Sequence, residues 1–117
     1  MLELREDAPD GVVAVAARGW VTGRDYTEVL LPAVEAQAGD LRLVYEIPRE
    51  ARLLTPGAIW QDMRFGARHF GRLRRLAVVS DRWWARGSTL LFRLVRPGRV
   101  RGFPTARRDE ALAWSAT

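Results

Sequence analysis

Apolar positions along the chain change period several times, and each change marks an element. Leu2 to Glu6 alternates apolar and charged, the pattern of a short edge strand. Ala8-Pro9-Asp10-Gly11 predicts a turn, because Pro presets one φ and Gly permits a positive one. Val12 to Ala17 is a β-branched, apolar run that predicts a second strand, hairpinned to the first. After Gly19-Trp20-Val21 the period lengthens: Tyr26, Val29, Leu30, Ala33 and Val34 follow i, i+3, i+4, i+7, i+8, one apolar face of a helix. Thr22 is placed to cap that helix, with Asp25 three residues on. Pro32 falls inside it and predicts a kink, and Gly39-Asp40 ends it.

Leu41 to Ile47 predicts the next strand and Pro48 to Leu54 a loop. Thr55-Pro56 opens a second helix, with Ile59, Trp60, Met63, Ala67 and Phe70 on its apolar face. Leu76 to Ser80 is a short buried strand, and Asp81 caps a third helix carrying Trp83, Trp84, Leu90, Leu91, Leu94 and Val95. Pro97-Gly98 ends it, Arg99 to Phe103 is the last strand, and Pro104-Thr105 opens a fourth helix with Ala111, Leu112 and Trp114. The order ββαβαβαβα implies an α/β domain: a mixed, mainly parallel five-stranded sheet with four helices, one antiparallel edge strand coming from the opening hairpin. The expected core holds Val13, Val15, Val44, Ile59, Met63, Ala77, Val79, Leu91 and Trp114.

The ordered set of local stretches resembles the SpoIIAA-like branch of the STAS superfamily. Pro9-Asp10-Gly11-Val12 with Gly19-Trp20-Val21-Thr22 and Asp25-Tyr26 is similar to that family's first hairpin and helix entry. Ile59-Trp60-Gln61-Asp62-Met63-Arg64-Phe65-Gly66 resembles its second helix, and Leu76-Ala77-Val78-Val79-Ser80-Asp81 with Trp83 its fourth strand and exit. Arg99-Val100-Arg101-Gly102-Phe103 with Glu110-Ala111-Leu112-Ala113-Trp114 resembles the closing strand and helix. The resemblance implies a single domain over 1–117 that binds rather than catalyses. STAS domains bind protein partners, nucleotides or lipids, and SpoIIAA-like relatives are compared with CRAL-TRIO lipid carriers. Members that antagonise anti-sigma factors are phosphorylated in an Asp-Ser-Ser/Thr-Gly run at the second helix start. This chain has Leu53-Leu54-Thr55-Pro56-Gly57 there, so Thr55 is the one candidate phosphosite and reads first as a helix cap.

With 117 residues the chain has room for one core and not two. It has no cysteine, which excludes a disulfide framework, a thiolate metal site and a cysteine nucleophile. His69 is its one histidine, so no metal site is expected. Ser80, Ser88 and Ser115 stand in no nucleophile-elbow context, and no phosphate-cradling glycine motif is present, so no catalytic residue and no cofactor is expected. The acidic start lacks the basic and apolar regions of a signal peptide, which predicts a cytoplasmic protein, and no apolar run is long enough to span a membrane.

The basic residues are all arginine apart from His69, and they are unevenly placed. Residues 1–63 hold six Arg against eleven acids, a net of −5; residues 64–117 hold thirteen Arg against three, a net of +10. Arg64, Arg68 and Arg72 recur every fourth residue and line one face if the second helix extends that far. Guanidinium grips phosphate or carboxylate in a bidentate fork, and Phe65, Trp83 and Trp84 add apolar surface nearby. The expected binding face is therefore Arg64, Phe65, Arg68, Arg72, Trp83 and Trp84. Its occupant is either a protein partner, or a small amphipathic or anionic ligand that the domain carries or senses. Nucleic acid ranks lower, because no nucleic-acid motif is present and the acidic N-terminal half repels a long polyanion. A homodimer is left open by the exposed first-hairpin edge.

Overall fold

The computed structural model describes residues 1–37, 39–49, 64, 70–83, 87, 89–90, 93–94 and 98–117. Five strands form one sheet in the spatial order β1-β2-β3-β4-β5. Strand β1 (Leu2–Leu4) pairs antiparallel with β2 (Val13–Ala17). Strand β2 then runs parallel to β3 (Leu41–Ile47), β3 to β4 (Leu73–Ser80), and β4 to β5 (Val100–Phe103). The hairpin turn closes as its sequence dictates: the Val12 N–H donates to Pro9 O at 3.1 Å, and Gly11 takes φ +82°.

The sheet is covered on both faces, which is why all five residues of β2 are buried. Val13, Val15 and Ala17 point to one face, where Val21 and, from the first helix, Tyr26, Leu30 and Val34 pack with Leu41, Leu43 and Leu73. Ala14 points to the other, with Val44, Ala77, Val79 and Phe103 under Ala111 and Leu112 of the last helix. Alanine at 14 and 77 leaves room for that helix to approach the sheet.

The first helix is three segments in series: α1 (Gly23–Asp25), a π segment (Tyr26–Leu30) and α2 (Leu31–Glu35). The kink expected at Pro32 is resolved in this way. An unbroken α-helix would need an N–H from residue 32, which proline lacks. The backbone widens just before it, the Leu31 N–H reaching five residues back to Tyr26 O, and Pro32 then sits in the first turn of α2, where its missing donor costs nothing. At the helix start Asp25 Oδ2 accepts the Thr22 N–H at 2.7 Å and the Thr22 hydroxyl at 3.0 Å. The last helix opens with a 3-10 turn (Thr105–Arg107) and continues as α3 (Arg108–Ser115).

Several expectations need correction. Two continuous helices are described where the sequence predicts four, and the sheet is mixed. The expected second helix, with Thr55, Ile59 and Met63, lies outside the described residues except for Arg64 and Phe70. Phe70 belongs to a 3-10 turn (Phe70–Arg72), not to a continuing α-helix. Between β4 and β5 the described residues Trp83, Gly87, Thr89, Leu90, Arg93 and Leu94 are helical, while Leu91 lies outside them. Strand β4 begins at Leu73, three residues before the expected Leu76. Arg74 and Arg75 hide its start from an apolar pattern, and the register jumps from Leu41↔Leu73 to Arg42↔Arg75, so Arg74 is an extra, bulged residue. Val13, Val15, Val44, Ala77 and Val79 are buried as expected, whereas Trp114 is only half-buried.

Candidate functional site

The helical residues that follow β4 carry the most exposed of the large apolar side chains among the described residues. Trp83 is 84% exposed, Leu90 60% and Leu94 80%. On an ideal helix, at 100° per residue, positions 83, 87, 90 and 94 fall in one stripe within about 60° of one another, and Trp83, Leu90 and Leu94 are each exposed. The strand exit sets where this stretch begins. Ser80 is buried, and its Oγ accepts the Arg82 N–H at 3.0 Å. Asp81, expected as the cap of this helix, uses Oδ1 to accept the Thr105 N–H at 3.0 Å, joining the exit of β4 to that of β5. Thr89 faces inward, its Cγ2 3.4 Å from where a Cβ at Gly102 would stand. Burial on the Thr89 side turns the 83-90-94 side outward.

The residues singled out from the sequence separate in space. Trp83 is exposed on the stripe, and Arg64 is helical and exposed. Arg72 does not continue a face with Arg64: it ends the 3-10 turn, and its guanidinium donates to Gly39 O at 3.0 Å and Gln37 O at 2.5 Å, closing the loop after the first helix. Thr55, Phe65, Arg68 and Trp84 lie outside the described residues. By sequence, Leu90 and Leu94 are apolar residues of this helix with no side assigned to them; their spacing from Trp83 is the signal that groups them, and all three are exposed.

Two charge systems surround the sheet. The first joins distant segments: Arg108 Nη1 and Nη2 meet Asp7 Oδ2 and Oδ1 at 2.6 and 2.8 Å, and its Nε meets Glu46 Oε1 at 2.6 Å. Hydrogen bonding from Arg108 holds the Asp7 carboxyl below its ordinary value, and the two carboxylates hold Arg108 charged more firmly than usual. Asp25 is also lowered: burial opposes its charge, but the Thr22 donors and the nearby N-terminal ammonium, 3.3 Å away, outweigh that.

The second system lies where β3, β4 and β5 begin. Arg42 and Arg75 are register partners, and the Leu76 N–H donates to Arg99 O, which sets Arg99 beside Arg75. Arg75 stacks on Trp114 at 4.9 Å, and Arg101 on Phe103 at 4.8 Å. Trp114 in turn meets Phe103 with centroids 5.8 Å apart.

The SpoIIAA-like family profile matches residues 12–116, nearly the whole chain. The chain belongs to the SpoIIAA-like family. A solved structure with the same architecture is an uncharacterized protein with a SpoIIAA-like fold from Shewanella loihica PV-4. It is 22% identical, with a TM-score of 0.70, over 97% of this chain and 91% of that one. The likeness at that identity is one of fold. No curated protein matches this SpoIIAA-like chain.

Proposed function

We propose that this SpoIIAA-like domain is a non-enzymatic binding or regulatory module that docks a protein partner through the helical face following β4. The exposed stripe of Trp83, Leu90 and Leu94 carries the reading. A solitary exposed leucine needs no explanation, but three large apolar side chains aligned on one helix face supply the anchors by which an amphipathic helix enters a partner's groove. The partner's chemistry follows from the stretch that carries the stripe: residues 82–96 contain four arginines and no acid, so an apolar surface bordered by carboxylates fits best. Arg64, with Phe65, Arg68 and Trp84, belongs to the same proposed face, while Arg72 serves the loop it closes.

Native mass spectrometry of the protein purified from its own host tests this reading. A mixed protein complex that is lost in a Trp83→Ala/Leu94→Ala variant of unchanged thermal stability supports it. A co-purifying small amphipathic molecule makes the domain a carrier instead. A complex that survives the double substitution moves the docking face elsewhere.

A further inference from the structure

The arginines at the start of β3, β4 and β5 form a surface apart from Trp83, which follows the opposite end of β4. The partners of these arginines are unusual for so many cations. Arg72 donates to Gly39 O and Gln37 O, Arg75 to Gly98 O, Arg99 to Leu73 O at 3.0 Å, and Arg42 to Thr117 O at 3.4 Å. Arg101 lies on Phe103. Among the described residues, the one side-chain carboxylate paired with this set is that of Asp40, 3.8 Å from Arg74 and exposed. The peptide carbonyls of residues 37, 39, 73 and 98 orient these guanidiniums but do not cancel their charge, whereas Arg42 lies against the terminal oxygen of Thr117. Each guanidinium has five N–H donors, and here one or two are used. The rim is thus held in place, and its positive charge is left largely uncompensated.

We propose that this rim binds single-stranded nucleic acid, its arginines on the phosphates and its arginine planes available to the bases. The geometry suits an extended strand. Arg42 on β3, Arg75 on β4 and Arg99 just before β5 stand side by side, and neighbouring strands succeed one another at about 4.8 Å. Arg42, Arg75 and Arg101 flank the last helix, two of them already stacked on aromatic rings. Guanidinium planes and aromatic faces are the groups on which unpaired bases stack. The overall balance agrees, with a net charge of +5 and a sequence pI of about 11.1.

The acidic N-terminal half is engaged in part by ion pairs. Five of its eleven acids are paired away from the rim: Asp7 and Glu46 with Arg108, Glu3 with Arg18, Glu28 with Arg24 and Asp25 with the N-terminal ammonium. None of these pairs uses an arginine of the rim.

Fluorescence anisotropy with a labelled oligothymidylate of about 15 nucleotides, within the site size of single-strand binders, tests the proposal. Binding is expected to weaken with salt, with a log–log slope of about −2 to −3 if three or four phosphates are neutralised. Arg99→Ala/Arg101→Ala removes two exposed guanidiniums, and is expected to weaken binding at least tenfold and to make the slope shallower by about 1.4. Arg42→Ala gives an independent loss if the double variant unfolds. Trp83→Ala/Leu94→Ala should bind like the parent chain, which separates this rim from the protein-docking face. No binding at low salt overturns the proposal, as does a slope unchanged in the rim variants. Equal affinity for an oligoglutamate of the same charge also overturns it and makes the rim an acidic-protein site.

Discussion

Arg108 and Asp7, 101 positions apart in the chain, meet in a two-pronged ion pair at 2.6 and 2.8 Å. Through Nε the same guanidinium also holds Glu46, so one side chain ties the first hairpin and β3 to the start of the last helix. Arg108 is 19% exposed and Glu46 12%, so this is a partly desolvated network rather than a surface contact. Arg108→Ala leaves the part-buried Glu46 with only the longer contact to Arg5 at 3.9 Å, and is expected to cost about 3 kcal/mol in urea unfolding. Arg108→Lys should recover only part of that, because an ammonium cannot form the same fork.

Acid should loosen this contact. Asp7 and Asp25 have folded-state pKa values lowered from the ordinary 3.8. Each therefore contributes stability that is fully present above about pH 4 and is lost as pH falls through the folded value. The midpoint of thermal unfolding should hold steady from neutrality to about pH 4 and fall below it. Asp7→Asn should flatten part of that fall, measured as Tm against pH.

Asp25 also serves the first helix directly, accepting two bonds from Thr22. Asp25→Ala is expected to destabilise the domain by about 1 kcal/mol, as loss of a capping group does. Equilibrium denaturation measures it, and Asp25→Asn should retain part of the effect.

Leu30 is 1% exposed and sits in the cluster between the first helix and the sheet. Leu30→Ala should cost about 2–5 kcal/mol, the range for a buried leucine that leaves a cavity. Leu94→Ala, on the exposed stripe, should change stability by less than about 0.5 kcal/mol. The contrast, read from denaturation midpoints of the two variants, checks the inside and outside assignments made for these leucines.

Thr55→Ala is expected to cost about 1 kcal/mol as a lost cap and to leave partner binding intact. Efficient phosphorylation of Thr55 that controls binding, detected by mass spectrometry and pull-down, contradicts that expectation.

What the sequence determined by itself is local. The alternation at Leu2–Leu4, the unbroken run through β2 and the Thr22–Asp25 spacing each involve neighbours a few residues apart, where chain geometry alone decides which side chains meet. Even Pro32 announced a disturbance, although its form, a π segment before the proline, depended on how Tyr26 and Leu30 had to reach the sheet. Tertiary structure decided what lies between distant segments. No spacing rule joins Arg108 to Asp7, or sends Arg72 to the carbonyls of residues 37 and 39. The bulge at Arg74 exists because β3 and β4 must keep their apolar faces aligned after Leu41 meets Leu73. Which side of the stretch after β4 faces water was settled by Thr89 against Gly102, since a leucine period is the same whether the helix buries it or displays it. Charge followed the same logic: the sequence holds an acidic half and a basic half, and only folding shows which arginines the acids neutralise and which remain.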